Sequence, residues 1–448
     1  MKKIGIVFVS VSLLVIALSA GEKPEGHMKY WHQWRGPFGS GVSPDGDPPV
    51  EWNENKNVAW KIEIPGKGHA TPIVWGDYLF VLTAIETDKE GKSPKQNTET
   101  QSSDRGWMRS SQTSKVHQFA VLCIHRHTGK ILWQKTVKEE VPEESTHEFG
   151  SWASNSPMTD GEHIYAYFGS RGLFCLDMKG TLKWERDFGQ MSKRMSFGEG
   201  SSPALYGNTI VVTWDHEGES FIYAIDKKTG KDIWKKERDE GTSWATPLVV
   251  EVKGKLQVIA SATRRIRSYD LNTGNLIWEC SGLTENVIPH PVTANGIVYL
   301  MSGFRGSALL AIDLSKATGD ITDSEAVVWK YNKNTSYTPS PLLFDNKLYF
   351  LRVNDGALSC LDARDGRVYY DNERLEGMGN VFTSPVGTRD RIYIQGGSGT
   401  AYVLKHGSAF EILARNSLED YFHASPVIVG NHLYLRGFKT LYCISEKK

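Results

Sequence analysis

The pattern that decides the fold runs from Ser202-Pro203-Ala204-Leu205-Tyr206 through Asp226-Lys227-Lys228-Thr229-Gly230 to Trp234. The same order returns along the chain: Ser or Thr, Pro, an apolar strand, an Asp-Gly turn and an aromatic residue. After a first gap of 85 residues, the spacings between the recurring prolines are 46, 44, 44, 50, 44 and 41. Such a period indicates a repeat architecture. Eight of the 18 prolines hold this position: Pro72, Pro157, Pro203, Pro247, Pro291, Pro341, Pro385 and Pro426.

Each repeat predicts four short strands. The proline opens the innermost strand, where its missing N–H costs least. Asp and Gly form the hairpin turn before the outer strand, and the aromatic residue packs one sheet against the next. The residue before each proline is called the slot residue here, and seven of the eight are Ser or Thr. The slot residues are Thr71, Ser156, Ser202, Thr246, His290, Ser340, Ser384 and Ser425.

The repeat count predicts an all-β fold, a single eight-bladed β-propeller. The last repeat stops at Cys443-Ile444 without an outer strand, and Val58-Ala59-Trp60-Lys61 matches the outer strand around Trp133. The N-terminal strand should therefore close the ring and remove its open edge. Seven blades is the alternative, because Lys405 replaces the Asp and Glu411 the Trp in the seventh repeat.

The propeller is predicted to span residues 58–448, and three segments of the chain do not follow its repeat. Residues 1–20 begin with two lysines and continue with an apolar run and small residues, which is typical of a secretory signal peptide. The protein is then expected to be exported, periplasmic or extracellular, with no transmembrane segment in the mature chain. Residues 21–57 should wrap over the ring. Residues 85–116 form a polar insertion in the first blade, either a surface loop or a lid or partner-docking loop.

Charge and cysteine usage exclude several functions. The 448 residues carry 52 Lys and Arg against 52 Asp and Glu, so the charge balance does not predict a nucleic-acid partner. We also expect the protein to be a monomer.

Four of the five cysteines, Cys123, Cys175, Cys360 and Cys443, share one position of the repeat. Equivalent positions of adjacent sheets lie about 10 Å apart, too far for a disulfide. We therefore expect buried thiols, and no Cys or His spacing predicts a structural metal site.

These motifs resemble the pyrroloquinoline quinone (PQQ)-type repeat of the PQQ-like β-propellers, within the quinoprotein alcohol dehydrogenase-like superfamily. The opening Trp31-His32-Gln33-Trp34-Arg35-Gly36-Pro37 also resembles a stretch before the first blade of many members. The resemblance covers residues 31–445. It implies a funnel that holds PQQ and Ca²⁺ in the enzymes of the superfamily, whereas other members are non-catalytic. This chain lacks the adjacent Cys-Cys pair of several of those enzymes and is shorter than their usual catalytic subunits.

The loops before the slot residues and the turns between the middle strands should meet on one face around the axis. We expect the ligand-binding residues of the funnel there. Trp152 or Trp244 would stack on a planar ligand, Arg264 or Arg305 would pair with carboxylates, and Asp215 and Asn286 would ligate Ca²⁺. The candidate residues are His69, Trp152, Asn155, Arg171, Asp215, Trp244, Arg264, Asn286, His290, Arg305, Tyr337 and His423.

Three functions follow as hypotheses. The first is an exported, non-catalytic propeller that binds a protein or a small ligand on its loop face. The second is a PQQ- and Ca²⁺-dependent alcohol or sugar dehydrogenase. The third is a carbohydrate-binding or carbohydrate-acting propeller. The sequence names no catalytic residue, no substrate and no partner.

Overall fold

The computed structural model describes residues 28–91, 110–111 and 113–446. The predicted signal peptide, residues 21–27 and most of the insertion (92–109 and 112) lie outside the described residues. No helix in the described part of the chain is both long and apolar enough to cross a membrane.

Eight antiparallel sheets of the described chain form the eight blades of a propeller, so the prediction of eight blades is confirmed and the alternative of seven is wrong. From the inner to the outer strand, blade 1 comprises Ile73–Trp75, Tyr78–Glu90, Lys115–His125 and Ile131–Glu140, and blade 2 comprises Met158–Thr159, His163–Tyr167, Leu173–Asp177 and Leu182–Arg186. Blade 3 comprises Ala204–Tyr206, Thr209–Trp214, Ser220–Asp226 and Asp232–Arg238, and blade 4 comprises Leu248–Val252, Lys255–Ala260, Ile266–Asp270 and Leu276–Cys280. Blade 5 comprises Val292–Ala294, Ile297–Ser302, Ala308–Asp313 and Val327–Tyr331, and blade 6 comprises Leu342–Phe344, Lys347–Leu351, Ala357–Asp362 and Val368–Arg374. Blade 7 comprises Val386–Thr388, Arg391–Gln395, Thr400–Lys405 and Ile412–Ser417, and blade 8 comprises Val427–Val429, His432–Arg436, Thr440–Ile444 and Val58–Glu63.

A few short elements lie outside the regular blades. Gly319–Asp320 pairs in parallel with the outer strand of blade 4. Ser110–Ser111 pairs with Thr146–His147 and so links one end of the insertion to the loop before blade 2. Two 3₁₀ turns cover Gly169–Arg171 and Arg194–Ser196.

The N-terminal strand closes the ring. Val58–Glu63 is the outermost strand of blade 8 and pairs antiparallel with Thr440–Ile444. Trp60 lies opposite Cys443, as Trp133 lies opposite Cys123 in blade 1. The indole N–H of Trp60 donates to the carbonyl oxygen of Arg126 in blade 1 at 2.9 Å, so the same tryptophan joins the last blade to the first.

The slot hydroxyls form a ring of hydrogen bonds around the axis. The backbone N–H of each donor slot residue bonds the hydroxyl oxygen of the slot residue in the next blade, at 2.9–3.2 Å. At the eighth step His290 replaces the hydroxyl residue, and its Nδ1 donates to the carbonyl oxygen of Thr246 at 3.0 Å. This ring explains why Ser and Thr dominate the position before the proline. The seven donor–acceptor pairs are Thr71–Ser156, Ser156–Ser202, Ser202–Thr246, His290–Ser340, Ser340–Ser384, Ser384–Ser425 and Ser425–Thr71.

Blade 7 lacks its own outer tryptophan. Strand register places Ala414 opposite Val403, where other blades place Trp, so the prediction that Glu411 takes this position is wrong. The reason is a longer turn, which shifts the count from the turn glycine. Trp52, from the segment before the propeller, instead stacks on Tyr393 with ring centroids 6.2 Å apart and is 3% exposed. A residue far away in sequence therefore fills the gap left in the seventh repeat.

All five cysteines lie in the described part of the chain as buried, unpaired thiols, as the repeat predicts. Burial raises the pKa of Cys123, Cys175, Cys360 and Cys443 to about 12. A thiol with so high a pKa is a poor nucleophile at neutral pH, which makes these residues packing groups.

Candidate functional site

The segment before the propeller crosses the channel behind the slot ring. The carbonyl oxygens of Trp31, His32 and Gly41 accept from the backbone N–H groups of Val74, Thr159 and Gly387, at 2.8, 2.9 and 2.9 Å. Each of these donors follows its slot residue by three positions along an inner strand, so the segment lies behind the ring as seen from the loops. It therefore covers the axis at that end.

Arg35 fixes this segment to the inner strands. Its guanidinium donates to the carbonyl oxygens of Pro385 and Pro341 at 2.8 and 2.9 Å. Burial lowers the pKa of Arg35 to about 9. A Cβ at Gly41, which has a φ of +85°, would collide with this guanidinium, so glycine is required at that position.

A cavity of about 470 Å³ opens on the loop face in front of the covering segment. This volume falls in the range of about 300–1,000 Å³ that is usual for small-molecule sites. All seven hydroxyl-bearing slot residues line it, and Trp34 contributes from the covering segment. The side chains that complete its wall come from loops of several blades. They are His69, His147, Phe149, Ser154, Arg194, Met195, Phe197, Glu199, Trp244, Asn286, Ile288, Phe304, Arg305, Tyr337, Thr338, Asn354, Asn380, Phe382 and His423.

Aromatic rings and uncharged imidazoles form one side of the cavity. The ring of His423 packs edge-on against Phe382 at 4.4 Å, and Phe149 lies 5.9 Å from Phe382. Burial lowers the pKa of His423 to about 4, although its Nδ1 bonds the carbonyl oxygen of Phe149 at 3.0 Å. Burial also holds the pKa of His69 well below its usual range. At neutral pH the imidazoles of this wall are therefore uncharged.

Arginines and amides form the opposite side of the cavity. The Nη1 of Arg194 lies 3.1 Å from the carboxylate of Glu285 and 3.4 Å from Oδ1 of Asn286. Arg305 lies 3.9 Å from the same carboxylate. Two cations therefore share one anion at the mouth, which leaves a net positive charge there.

Six of the twelve predicted site residues line the cavity together: His69, Trp244, Asn286, Arg305, Tyr337 and His423. The indole N–H of Trp244 donates to the carbonyl oxygen of Gly198 at 2.8 Å, and this residue is only 8% exposed. Tyr337 packs against Phe304 with ring centroids 4.9 Å apart.

The other six predicted residues lie elsewhere and have structural partners. Asp215 receives two hydrogen bonds from Arg238, at 2.7 and 3.1 Å, and both side chains are buried. His290 is a slot residue that does not line the cavity, and its Nδ1 donates to the carbonyl oxygen of Thr246. Arg264 is exposed and donates to the carbonyl oxygen of Asp239 at 3.0 Å.

Trp152, Asn155 and Arg171 complete this second group. The amide of Asn155 donates to the carbonyl oxygen of Ser201 at 2.6 Å. Trp152 and Arg171 line a separate cavity of only about 10 Å³, next to Glu144 and Glu199. A cavity of this size holds at most about one water molecule.

Sequence reasoning did not include several cavity residues among the predicted set. Trp34 lies in the opening motif Trp31–Pro37 that carries the family resemblance, and this motif is the signal for it. Asn380 lies in the loop before Pro385, where the position of the loop before a slot residue is the signal for it. Arg194 and Met195 lie in a long connection after blade 2, and nothing in the repeat marks them.

The donor set does not fit a Ca²⁺-bound quinone. Ca²⁺ takes about six to eight oxygen ligands, several from carboxylates. Asp215 is neutralised by Arg238 outside the cavity, and Glu199 accepts from the N–H and hydroxyl of Ser170 and from Arg171. In residues 28–91, 110–111 and 113–446, no three His, Cys, Asp or Glu residues cluster as metal ligands would.

Comparisons with known proteins identify relatives of this propeller. A family model described as outer membrane protein assembly factor BamB matches residues 117–372 and 218–448. A curated protein from Francisella salina, "Outer membrane protein assembly factor BamB", is 24% identical over 172 residues, 38% of this chain. That match spans 30% of the relative, less than a third of its length.

Two solved structures share the fold. BamB from Moraxella catarrhalis has a TM-score of 0.52 at 17% identity, covering 82% of this chain and 98% of that one. Quinohemoprotein alcohol dehydrogenase from Comamonas testosteroni has a TM-score of 0.62 at 10% identity, covering 94% and 81%. At these identities the likeness concerns the fold alone. The family model covers most of the chain, and this protein therefore belongs to the PQQ-repeat β-propeller family that the model describes as outer membrane protein assembly factor BamB.

Proposed function

We propose that this protein is an exported, non-catalytic propeller that binds a protein partner on its loop face as a monomer. The observation that carries the proposal is a set of exposed apolar side chains in loops of the cavity face, called the rim residues here, of which Phe149 and Met195 line the cavity itself. They are Phe149, Met195, Val353 and Tyr421, which are 41%, 41%, 42% and 62% exposed. Several exposed apolar side chains on one face are a common mark of a protein-binding surface.

Backbone geometry supports a role for two rim residues. Met195 and Val353 have φ values of +54° and +50°, a region that side-chain-bearing residues rarely adopt and that is least favourable for a β-branched residue. Such strain persists where the surrounding structure imposes it, and it is frequent at functional sites. The curated relative is named for outer membrane protein assembly, which also favours a protein partner.

The first experiment separates this proposal from the dehydrogenase hypothesis. Purified mature protein is titrated with PQQ and Ca²⁺, and binding and dye-linked oxidation of alcohols and sugars are measured. We expect neither stoichiometric binding nor oxidation, because the carboxylates near the cavity already have partners. Tight binding with Ca²⁺-dependent turnover would overturn the non-catalytic assignment.

The second experiment tests the rim. A photo-crosslinking amino acid replaces Met195 or Tyr421 in cells of the source organism, with Leu182 and Ile233 as matched controls. The two control residues are 37% and 46% exposed but lie on outer strands of blades 2 and 3. We expect both rim positions to label the same protein and Phe149→Asp to abolish the label. Equal labelling from control positions, or none from the rim, would contradict the proposal.

Export has its own test. N-terminal sequencing of the protein from the periplasmic or secreted fraction should give a start close to residue 21, following cleavage of the segment 1–20. Recovery of the uncleaved chain in the cytoplasm would refute export.

A further inference from the structure

The inside of the cavity favours a different kind of ligand from the rim around it. At its base, each of seven slot hydroxyl oxygens already accepts a backbone N–H from the preceding blade. A hydroxyl carries one donor hydrogen and two acceptor positions, so each keeps its O–H to donate. All seven line the cavity. The base is therefore a circle of hydroxyl donors that requires acceptor oxygens from water or from a ligand.

Amide groups extend this polar surface. The Oδ1 of Asn354 accepts the backbone N–H of Thr338 at 3.0 Å, which leaves its NH₂ group for another acceptor. An entirely apolar ligand would remove these groups and the slot hydroxyls from water without replacing their hydrogen bonds. A buried polar group without a hydrogen-bond partner is unfavourable, so such a ligand is disfavoured.

The same cavity also offers apolar faces. Trp34 lies at its closed end, and Phe382 and Phe149 stand on the wall beside the neutral His423. Sugar rings combine both requirements, because their C–H faces pack on aromatic rings and their hydroxyls exchange hydrogen bonds around the edge. A flat, fully aromatic ligand would match the rings but offer few acceptors to the hydroxyl circle.

Charge at the mouth selects among saccharides. Arg194 and Arg305 share the single carboxylate of Glu285, at 3.1 and 3.9 Å. The carboxylate of Glu199 is already bonded by Ser170 and Arg171. Among the described residues, these two guanidinium groups therefore have one carboxylate between them, and guanidinium groups bind carboxylates through paired hydrogen bonds.

We propose that the cavity binds a short acidic oligosaccharide, with a uronic acid carboxylate at Arg305 and Arg194, a sugar ring against Phe382, and hydroxyls on the slot ring. The volume of about 470 Å³ suits a small oligomer rather than a polymer chain passing through, because the covering segment with Trp34 closes the far end. This site lies inside the rim and does not depend on the proposed protein partner.

The test is calorimetric titration of mature protein with trigalacturonic acid and with the neutral maltotriose. We expect trigalacturonic acid to bind up to about fivefold more tightly than maltotriose, the gain of one partly exposed charge pair. Arg305→Gln should remove that preference, and Phe382→Ala should weaken binding of both sugars. Arg367→Gln is the matched control, since Arg367 is exposed on the outer strand side of blade 6, away from the cavity. Melting temperatures establish that each variant is folded.

Two results would overturn the proposal: no binding of trigalacturonic acid, or a preference for it that Arg305→Gln leaves unchanged. Quenching of Trp34 fluorescence on binding, lost in Trp34→Phe, would locate the sugar at the closed end and support it. If sugar binding fails while rim crosslinks form, only this inference falls. If sugars bind and the rim gives no crosslinks, only the protein-partner function falls.

Discussion

The backbone N–H of Ser425 donates to the hydroxyl oxygen of Thr71 at 3.2 Å, which joins the last blade to the first at the axis. Trp60 makes the corresponding join at the outer edge, through its bond to Arg126. The ends of the chain are therefore tied together at two radii. Closure at both radii therefore holds the last blade to the first, while each blade keeps only a short outer edge.

Thr71→Val should weaken the seam, because the Ser425 N–H loses its acceptor while shape is conserved. A buried donor without a partner costs about 1–3 kcal/mol, and we expect the free energy of unfolding to fall by that amount. Urea denaturation measures it. Thr229→Val, in an exposed turn where the hydroxyl bonds Asp226, is the control and should change it by less than about 0.5 kcal/mol. Equal losses in the two variants would contradict a role for the slot ring.

Trp52→Ala should destabilise blade 7 specifically. The indole of Trp52 is 3% exposed and stacks on Tyr393 where blade 7 has Ala414 in place of Trp. Truncating a buried Trp costs about 3–5 kcal/mol. Hydrogen exchange should quicken first in Arg391–Gln395 and Thr400–Lys405. Phe38→Ala, a 42% exposed aromatic residue of the same segment, should have little effect.

His290 should make stability depend on pH. Burial lowers its pKa to about 4, and its side chain is almost fully buried beside Arg35. The unfolded chain, with an ordinary pKa near 6.5, binds the proton first, so stability present at pH 7 is lost as pH falls from about 6.5 to 4. A shift of this size corresponds to about 3 kcal/mol.

The measurement is urea denaturation of the wild type and of His290→Gln at several pH values between 7 and 4. The difference between the two proteins should shrink by an amount of that order towards pH 4. His423, whose pKa is also about 4, contributes equally to both proteins and cancels in the comparison. A difference that stays constant with pH would show that His290 is not buried as a neutral imidazole.

Asp215→Asn should destabilise the protein strongly, because it leaves the guanidinium of Arg238 buried without its carboxylate. Breaking a buried pair in this way costs about 3–5 kcal/mol, whereas replacing both partners costs less. The double variant Asp215→Leu/Arg238→Met should therefore unfold at a higher temperature than the single variant Asp215→Asn. Ca²⁺ should not shift the melting temperature of the wild type; a Ca²⁺-dependent shift lost in Asp215→Asn would instead support the ligand role expected from sequence.

Six of the twelve site residues predicted from the sequence line the cavity. The rule that loops before the slot residues approach the axis correctly brought His69, Trp244, Asn286, Tyr337 and His423 to the cavity, and the rule for middle turns brought Arg305. The same rules also selected Asp215 and Arg171, whose charged ends turn to Arg238 and Glu199. A loop position predicts nearness to the axis, but the direction of a charged side chain depends on which opposite charge lies within reach.

The sequence by itself determined the eight repeats, the proline at each inner strand, the closing strand at residue 58 and the unpaired cysteines. These features repeat, and each depends on neighbours within one blade or on matching ends. Only the tertiary structure decided that Trp34 covers one end of the cavity, that Trp52 replaces the missing aromatic residue of blade 7, and that Arg35 bonds Pro385 from 350 positions away. Such contacts join segments that the repeat does not relate, so their geometry exists only once the ring has closed.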